Sequence, residues 1–499
     1  MKIKSNMLPK KTLWIIILVI FLLPILALWG QEAQTGQLPK TEREGGVFLK
    51  TRNATYSLET FGSYSTGDQT PFWMVSHSWG VVPLENNNAY VKAGSFYNQT
   101  LSRELSYNLG LDLVVVSKAP NRNSYWVQQA FAEVKWRSLA ISLGSREQHE
   151  SAIVNQNLSS GDMVYSNNVR PNPEVKISIP KFTLIPHTKN RLYIKGDFAI
   201  GKYLDGDYLE KTAVPNNQNF VKNPLSHHKS LYLRLGDIKS KPQSVQWIVG
   251  VNDYVQWNGD NFRYKNGEWT YPTSASNNFA RVLIPSDESR SGSHLASYNF
   301  RVDYGQNYAD EVYSFYAQHF IEAKDDIFFK NYRDMLLGLE YKSLRKKFFS
   351  GLVLEYLYTK QQRASHLSNY YNQPAHEQGS SYYGRGMGNP LLLSPEYNGD
   401  GTLGFKSNRI SAMHVGLEGH INDEFQYSLL TTYGTSDGTY RKPYSEAKTG
   451  IASLLGVTYN YPKITGLSIK CSVAYDNGAF FGSDTFGAGL TIKMAGKLF

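Results

Sequence analysis

Apolar and polar residues alternate along many long segments of this chain. Residues 191–200 show the pattern, because Leu192, Ile194, Phe198 and Ile200 alternate with Arg191, Tyr193, Lys195 and Asp197. Residues 296–304 and 467–476 repeat it. Successive side chains of a β-strand point to opposite faces, so each segment predicts a strand with one apolar and one polar or charged face.

Such segments recur from residue 54 to the end of the chain. The candidate strands are residues 54–65, 89–100, 103–117, 124–136, 138–146, 173–180, 190–203, 228–237, 244–255, 293–306, 309–322, 333–345, 347–360, 406–420, 423–435, 450–462, 465–477 and 485–499. Most are longer than the roughly 5 or 6 residues of a soluble strand, and a tilted strand crosses a membrane with about 9 to 11. We therefore predict an all-β fold, a transmembrane antiparallel β-barrel of about 18 strands with minor periplasmic or plug helices.

The predicted connections differ in length. Short ones include residues 345–346, 422–423 and 463–464, whereas residues 147–172, 204–227, 256–292 and 361–405 form long ones. Short periplasmic turns and long external loops are typical of outer-membrane barrels. Residues 66–88 fit no strand, and the stretch Thr70–Ser76, with Pro71 in a first turn, suits a short helix. We expect this helical or plug segment at the periplasmic mouth or inside the barrel.

The N-terminus has the layout of an export signal. Four lysines, at positions 2, 4, 10 and 11, precede an apolar run that begins at Leu13, and small residues follow up to Gly30. The run contains Pro24 and is short for a membrane-spanning helix of roughly 20 residues. We therefore divide the chain into a signal peptide (1–30), a periplasmic N-terminal segment (31–52) and a barrel (53–499) in the outer membrane of a Gram-negative bacterium. The alternative is a retained anchor.

Composition supports this class and narrows the partners. Aromatic residues make up 14% of the 499 residues, and the 35 tyrosines suit a wall between lipid and water. The formal charge of +10 falls to +6 without the four N-terminal lysines, and no basic run suggests nucleic acid. An anionic polysaccharide is left open as a partner. The single Cys471 excludes an internal disulfide.

No segment predicts catalysis. Residues 434–438 read Gly-Thr-Ser-Asp-Gly, but Pro443 follows soon after, so a hairpin loop fits better than a nucleophile elbow. The histidines lack the His-Glu-x-x-His spacing, and the Asn398–Thr402 segment lacks the later Glu of a calcium loop. Some outer-membrane barrels hydrolyse lipids with a Ser–His pair, yet nothing selects such a pair here. We predict that the chain is not an enzyme and needs no cofactor or metal.

Several segments, in order along the chain, carry a family resemblance. They are Ser65–Trp73, Trp79–Leu84, Leu158–Ser166, Arg170–Pro173, Ser293–Arg301, Tyr316–His319 and Ser381–Leu391. Together they resemble the Wzi-like capsule assembly family of outer-membrane barrels in its Bacteroidetes-type form. The resemblance implies an eighteen-stranded barrel with small periplasmic helices and a lectin-like role in holding capsular polysaccharide. The chain departs from the family pattern near Asp253 and Asn258 and in the tract after His319. These departures bear on the identity of the ligand more than on the fold.

Two predicted loops contain the best sugar-binding candidates. They hold Trp257, Asp260, Arg263, Tyr264, Trp269 and Tyr271 in the first loop, and Tyr370, Tyr371, Tyr382, Tyr383 and Arg385 in the second. Sugar rings stack on aromatic faces, and arginine grips a carboxylate or phosphate in bidentate fashion. The alternative is that these side chains pack the loops over the barrel mouth or form the interfacial girdle.

We therefore expect a barrel that binds capsular or extracellular polysaccharide and helps to attach and assemble it at the cell surface. The alternative is a porin-like channel for small polar solutes. Expected partners are the polysaccharide, outer-membrane lipid and, during biogenesis, the barrel-assembly machinery, with a monomeric state and no nucleic acid. The terminal Phe499 suits that machinery, although only a bulge near Gly496 would bring it onto the apolar face of the last strand.

Overall fold

A computed structural model describes residues 52–148, 151–236, 244–274, 293–305, 310–362, 369–373 and 376–498. The predicted signal peptide, nearly all of the predicted periplasmic segment and Phe499 lie outside the described residues. No helix within the described ranges is both long and apolar enough to span a membrane.

The described chain is built mainly from strands. In chain order they are β1 Arg52–Ser65, β2 Ala89–Thr100, β3 Leu105–Val116, β4 Tyr125–Trp136, β5 Leu139–Ser145, β6 Glu174–Leu184, β7 Leu192–Lys202, β8 Phe220–Lys222, β9 Leu225–Leu235, β10 Val245–Trp257, β11 Asp260–Lys265, β12 Glu268–Ser274, β13 Ser293–Tyr304, β14 Glu311–Ile321, β15 Met335–Ser343, β16 Gly351–Tyr358, β17 Ser381–Tyr382, β18 Arg385–Gly386, β19 Ile410–His420, β20 Phe425–Gly438, β21 Pro443–Asn460, β22 Leu467–Asn477 and β23 Thr485–Lys497. The helices are α1 Phe72–Val75 and α2 Gly206–Ala213, with 3₁₀ turns at Val214–Asn216, Lys324–Phe328 and Pro395–Tyr397.

Eighteen of these strands form one closed antiparallel barrel, which confirms the predicted fold class. Each strand pairs with the next wall strand along the chain, and β1 closes the ring by pairing with β23. The closing register runs without interruption from Thr55 opposite Lys497 to Ser65 opposite Gly487. No bulge therefore interrupts this pairing at Gly496.

The alternation in sequence separates the two faces of the wall. On β10, Trp247, Val249 and Val251 point outward and are exposed, whereas Gln246 and Ile248 point inward and are buried. Exposed apolar side chains recur on neighbouring strands, as an outer face against lipid requires.

The connections define two ends of the barrel. At the turn end, where β1 begins and β23 ends, short connections such as 101–104, 137–138 and 421–424 join the strands. At the loop end lie the described residues of the long connections 66–88, 146–173, 203–224, 258–292 and 359–409. All helices and 3₁₀ turns of the described residues belong to loop-end connections. Among the described residues no helix lies at the turn end, and α1 belongs to the connection 66–88, where the sequence suited a short helical or plug segment.

Three loop-end connections fold back into the barrel and form a plug, which we define as the described residues of 66–88, 146–173 and 359–409. Their side chains share one buried apolar cluster with inward side chains of the wall, for example Trp73, Met163 and Leu391 with Leu357 and Ala452. Residues 66–88, which fitted no strand in the sequence, therefore lie inside the barrel, one of their two expected positions, and enter it from the loop end.

Two small sheets stand outside the wall. Strands β8, β11 and β12 form an antiparallel outer sheet at the loop end, and β17 pairs with β18 within the plug.

Candidate functional site

Buried polar groups of the wall hold the plug in place. The Glu355 carboxylate on β16 accepts hydrogen bonds from the Ser159 hydroxyl, the Ser160 backbone N–H and the Tyr316 hydroxyl, each at 2.6 Å. Charge-assisted hydrogen bonds of this kind are among the stronger polar contacts in proteins. The plug is therefore bonded to the inner wall and not merely packed against it.

A second set of contacts fixes the neighbouring plug backbone. The Gln318 amide donates to Asp162 at 2.7 Å and accepts from the Met163 backbone N–H at 3.2 Å. On β19, Gly416 allows close approach, because a Cβ atom there would lie 2.1 Å from the Leu158 carbonyl oxygen. The wall sequence thus provides both the polar partners and the space for residues 158–163.

Most of the predicted ligands between residues 370 and 385 belong to the plug interior. Tyr370, Tyr371, Tyr382 and Arg385 are each at most 3% exposed. The Tyr371 hydroxyl donates to the Met163 carbonyl at 2.6 Å, and an Arg385 N–H donates to the Val82 carbonyl at 2.8 Å. These four side chains pack inside the plug and leave almost no surface for a ligand. The alternative interpretation, in which such side chains pack the loops, describes their position.

Two candidates of the first loop are also separated from the rest. Trp257 ends β10 and is 7% exposed, in a small apolar cluster with Val255 and Leu225. Its burial at the wall leaves little ring surface for a sugar. Tyr271 lies on β12, and its side chain is outside the described part of the structure.

The remaining candidates of that loop come together on the outer sheet. Tyr264 pairs with Trp269, Arg263 with Thr270, and Asp260 with Lys222 and Ser274. One face of the sheet is aromatic, since Phe220 stacks on Phe262 at 4.9 Å and meets Trp269 at 5.7 Å between ring centroids. This face packs on Tyr208, Leu209 and Ala213 of α2.

The opposite face of the outer sheet is open and carries the exposed Arg263, Lys265, Glu268 and Thr270. Tyr264 and Trp269 alternate with these residues along the strands, so their half-buried rings, 5.4 Å apart, belong to the aromatic face. We call these six side chains, from both faces of the hairpin, the hairpin site. Aromatic rings can stack on a sugar ring, and a guanidinium can hydrogen-bond to its hydroxyl or acid groups, so the two faces of the hairpin offer complementary contacts.

The sequence reasoning missed Lys265, Glu268 and Thr270. One available signal was the Asn266-Gly267 pair, which is typical of a two-residue hairpin turn. Both residues adopt positive φ, 54° and 86°, as such a turn requires.

A buried acid lies where α2 meets the plug. The Asp205 carboxylate accepts the Tyr383 backbone N–H at 3.1 Å, and burial raises the pKa of Asp205 to about 7. The Tyr383 ring is half-buried under the Arg170 guanidinium, 3.6 Å from the ring centroid. Tyr383 therefore joins the plug to α2, which supports the outer sheet.

A cavity of about 830 Å³ lies inside the barrel beside the plug. Trp73 and Leu158 line it from the plug, and Glu59, Lys470 and Lys493 line it from the wall. Within the described ranges, no group of three His, Cys, Asp or Glu side chains is placed to hold a metal ion.

The sequence profile of the family described as capsule assembly protein Wzi matches residues 68–391. The chain belongs to this family. Among solved structures, this chain is similar to Escherichia coli Wzi. That protein is described as an outer membrane protein involved in group 1 capsule assembly and as a carbohydrate-binding β-barrel. The identity is 14%, over 88% of this chain and 84% of that one, with a TM-score of 0.55.

The chain also has weaker structural similarity to other outer-membrane barrels. Pseudomonas aeruginosa OpdQ has a TM-score of 0.43 at 9% identity, over 90% of this chain and 98% of that one. Vibrio cholerae OmpT has a TM-score of 0.39 at 10% identity, with the same coverage. No curated protein sequence matches the chain.

Proposed function

We propose that this Wzi family protein binds capsular or extracellular polysaccharide and helps to attach and assemble it at the cell surface. Family membership supports the role, and the barrel with an apolar outer face supports its place in the outer membrane. We further infer the Bacteroidetes-type form of the family, export by residues 1–30, insertion by the barrel-assembly machinery, and a non-catalytic monomer.

The observation that carries the binding proposal is the hairpin site. Short turns of outer-membrane barrels lie in the periplasm, so the loop end and its outer sheet are directed to the cell exterior. There the hairpin presents the exposed Arg263 on one face and the half-buried rings of Tyr264 and Trp269 on the other. These three candidates keep accessible surface, whereas most candidates between residues 370 and 385 are buried in the plug.

The alternative of a porin-like channel requires a continuous path of water through the barrel. The plug opposes such a path, because its packed residues occupy the lumen. Hydrogen bonds from Glu355 and Gln318 to residues 159–163 hold it there. We therefore favour the binding role.

The test is binding of the purified, detergent-solubilised full chain to capsular polysaccharide from the producing strain. We expect saturable binding that the Trp269→Ala/Arg263→Ala variant weakens by about tenfold or more, as loss of an aromatic anchor and its charged neighbour implies. The matched control is Trp136→Ala/Arg137→Ala, an exposed Trp–Arg pair at the turn end with the guanidinium 5.1 Å from the ring centroid.

Three outcomes separate the interpretations. Loss of binding only in the hairpin variant supports the proposed site. Equal binding by both variants and the parent chain keeps the function but removes the hairpin site as its location. Absence of any binding by the parent chain contradicts the proposal and directs attention to the channel alternative.

A further inference from the structure

The connection between β14 and β15 exposes an unusual amount of aromatic surface. Phe328 is 72% exposed, and Phe329 and Tyr332 are more than half exposed. Exposed aromatic groups of this size in a folded protein mark a surface that contacts something else. We call residues 322–334 the aromatic loop.

Hydrogen bonds and burial hold the aromatic loop in one conformation. The Asp326 carboxylate accepts the backbone N–H groups of Glu322 and Ala323 at 3.1 and 3.0 Å. The Asn331 amide donates to the Phe320 carbonyl at 2.8 Å and to the Tyr370 hydroxyl at 2.6 Å. The aromatic side chains are therefore presented by a fixed backbone.

The backbone at Phe329 supports this view. Its φ of 59° and ψ of 30° lie in the left-handed region, which is sterically unfavourable for a bulky residue. In this conformation the Phe329 ring packs on outward-facing side chains of the wall, and those contacts help to hold it.

Contacts of Phe329 place the loop beside the lipid-facing belt. Its ring centroid lies 4.6 Å from that of His319 and 5.5 Å from that of Tyr298. Both belong to the outward series of their strands, since Tyr298 pairs with the exposed Val251 in the wall. The aromatic loop thus continues the apolar outer face toward the loop end.

Charged groups border the aromatic patch. Lys324, Lys330 and Arg333 are exposed, Lys330 pairs with Asp325 at 2.8 Å, and Arg333 donates to the Tyr332 hydroxyl at 3.1 Å. Aromatic rings with basic neighbours are the combination that settles at the boundary between acyl chains and phosphate-bearing headgroups.

From this continuity we propose that the aromatic loop inserts Phe328, Phe329 and Tyr332 into the headgroup boundary of the outer leaflet, as a lateral lipid anchor at the loop end. The occupant of this surface is lipid, because the patch extends the wall that lipid already covers. This inference does not depend on polysaccharide binding.

The test uses the single native cysteine. A Cys471→Ser background carrying Phe328→Cys is labelled with an environment-sensitive fluorophore in the full-length protein, which is then reconstituted into phosphatidylcholine–phosphatidylglycerol vesicles. We expect blue-shifted emission and loss of most of its intensity with lipids that carry a nitroxide near the headgroup. Because Phe328 is largely exposed, its replacement leaves the fold intact.

Two matched positions calibrate the result. Leu339→Cys, on the lipid-facing wall, should be quenched most strongly by a nitroxide deep in the acyl chain. Gly399→Cys, at an exposed part of the connection 359–409 that is not packed in the barrel, with nothing within 4 Å of an added Cβ, should not be quenched. A label at position 328 that behaves like the one at 399 overturns the proposal. Oxidative cross-linking through position 328 without lipid quenching would also overturn it and assign the patch to a second copy of the chain.

Discussion

Single buried groups at the loop end decide how firmly the external structure is held. Asp205 is the clearest case, since its buried carboxylate accepts the Tyr383 backbone N–H and the residue directly precedes α2. Burial favours the neutral acid, and the link between α2 and the plug therefore depends on pH.

The pKa of Asp205 predicts the direction of this dependence. The folded pKa of about 7 lies above the ordinary aspartic acid value of 3.8, so the stabilising proton is present at low pH and is lost as pH rises toward 7. Amide hydrogen exchange of residues 203–224, corrected for intrinsic rates, should show protection that falls by up to about tenfold per pH unit between these values. In Asp205→Asn the fall should be absent. An equal fall in this variant would assign the pH dependence to another group.

Burial could not be predicted for individual aromatic residues. Tyr370, Tyr371 and Tyr382 carry the same sequence features as Tyr264 and Trp269, namely aromatic rings in a long polar connection. Only the tertiary fold distinguishes them, because these three tyrosines pack in the interior cluster while β11 and β12 belong to a sheet outside the wall. A strand pattern reports which face a side chain occupies, but a loop has no such periodicity.

Among the elements, the wall strands were predictable and the interior was not. All eighteen predicted segments overlap wall strands, and β2 has the predicted bounds, because alternation over many residues is a strong signal. The outer sheet was missed because β8 has three residues and its partners are distant in sequence. The plug depends on long-range contacts such as Glu355 with Ser159, which local patterns do not encode.

One element-level prediction concerns the space that β19 leaves for the plug. In Gly416→Val, the added side chain meets the Leu158 backbone, so residues 155–163 must shift from the wall. Overpacking of this kind costs roughly 1–3 kcal/mol, and hydrogen exchange of this segment should accelerate by about tenfold or more.

The control for Gly416→Val is Gly62→Val on β1. This glycine also lies in the wall, but an added Cβ there meets nothing within 4 Å. Exchange of residues 155–163 should be unchanged in this variant. Similar acceleration in both variants would show that valine weakens the barrel generally and that Gly416 has no special role.

At the scale of the whole molecule, the eighteen-stranded wall and the plug inside it determine whether solutes pass through the barrel. A barrel of this size can enclose an aqueous channel. Here the plug occupies the lumen at the loop end, and the cavity of about 830 Å³ accounts for only part of the interior.

The plug predicts a closed barrel. In planar bilayers the full chain should show no steady open-channel current, whereas a variant with residues 155–168 replaced by a flexible Gly-Ser linker should conduct. Loss of the Glu355 and Gln318 contacts removes part of the packing that excludes water. A steady current from the unaltered chain would contradict the closed barrel and revive the porin-like alternative.

The attachment of the outer sheet has a mechanical consequence. Strand β8 leads into β9, and β10 leads into β11, with two residues between the strands in each case. Strands β9 and β10 pair from Leu225–Trp257 down to Leu235–Trp247, and each has a further wall partner, β7 or β13. Tension on a polymer held by the outer sheet would pull both strands from the same end. The backbone hydrogen bonds that join β9 to β7 and β10 to β13 would then be loaded together in shear. The attachment of the outer sheet would therefore resist drag from flowing liquid better than a sheet whose hydrogen bonds break one at a time.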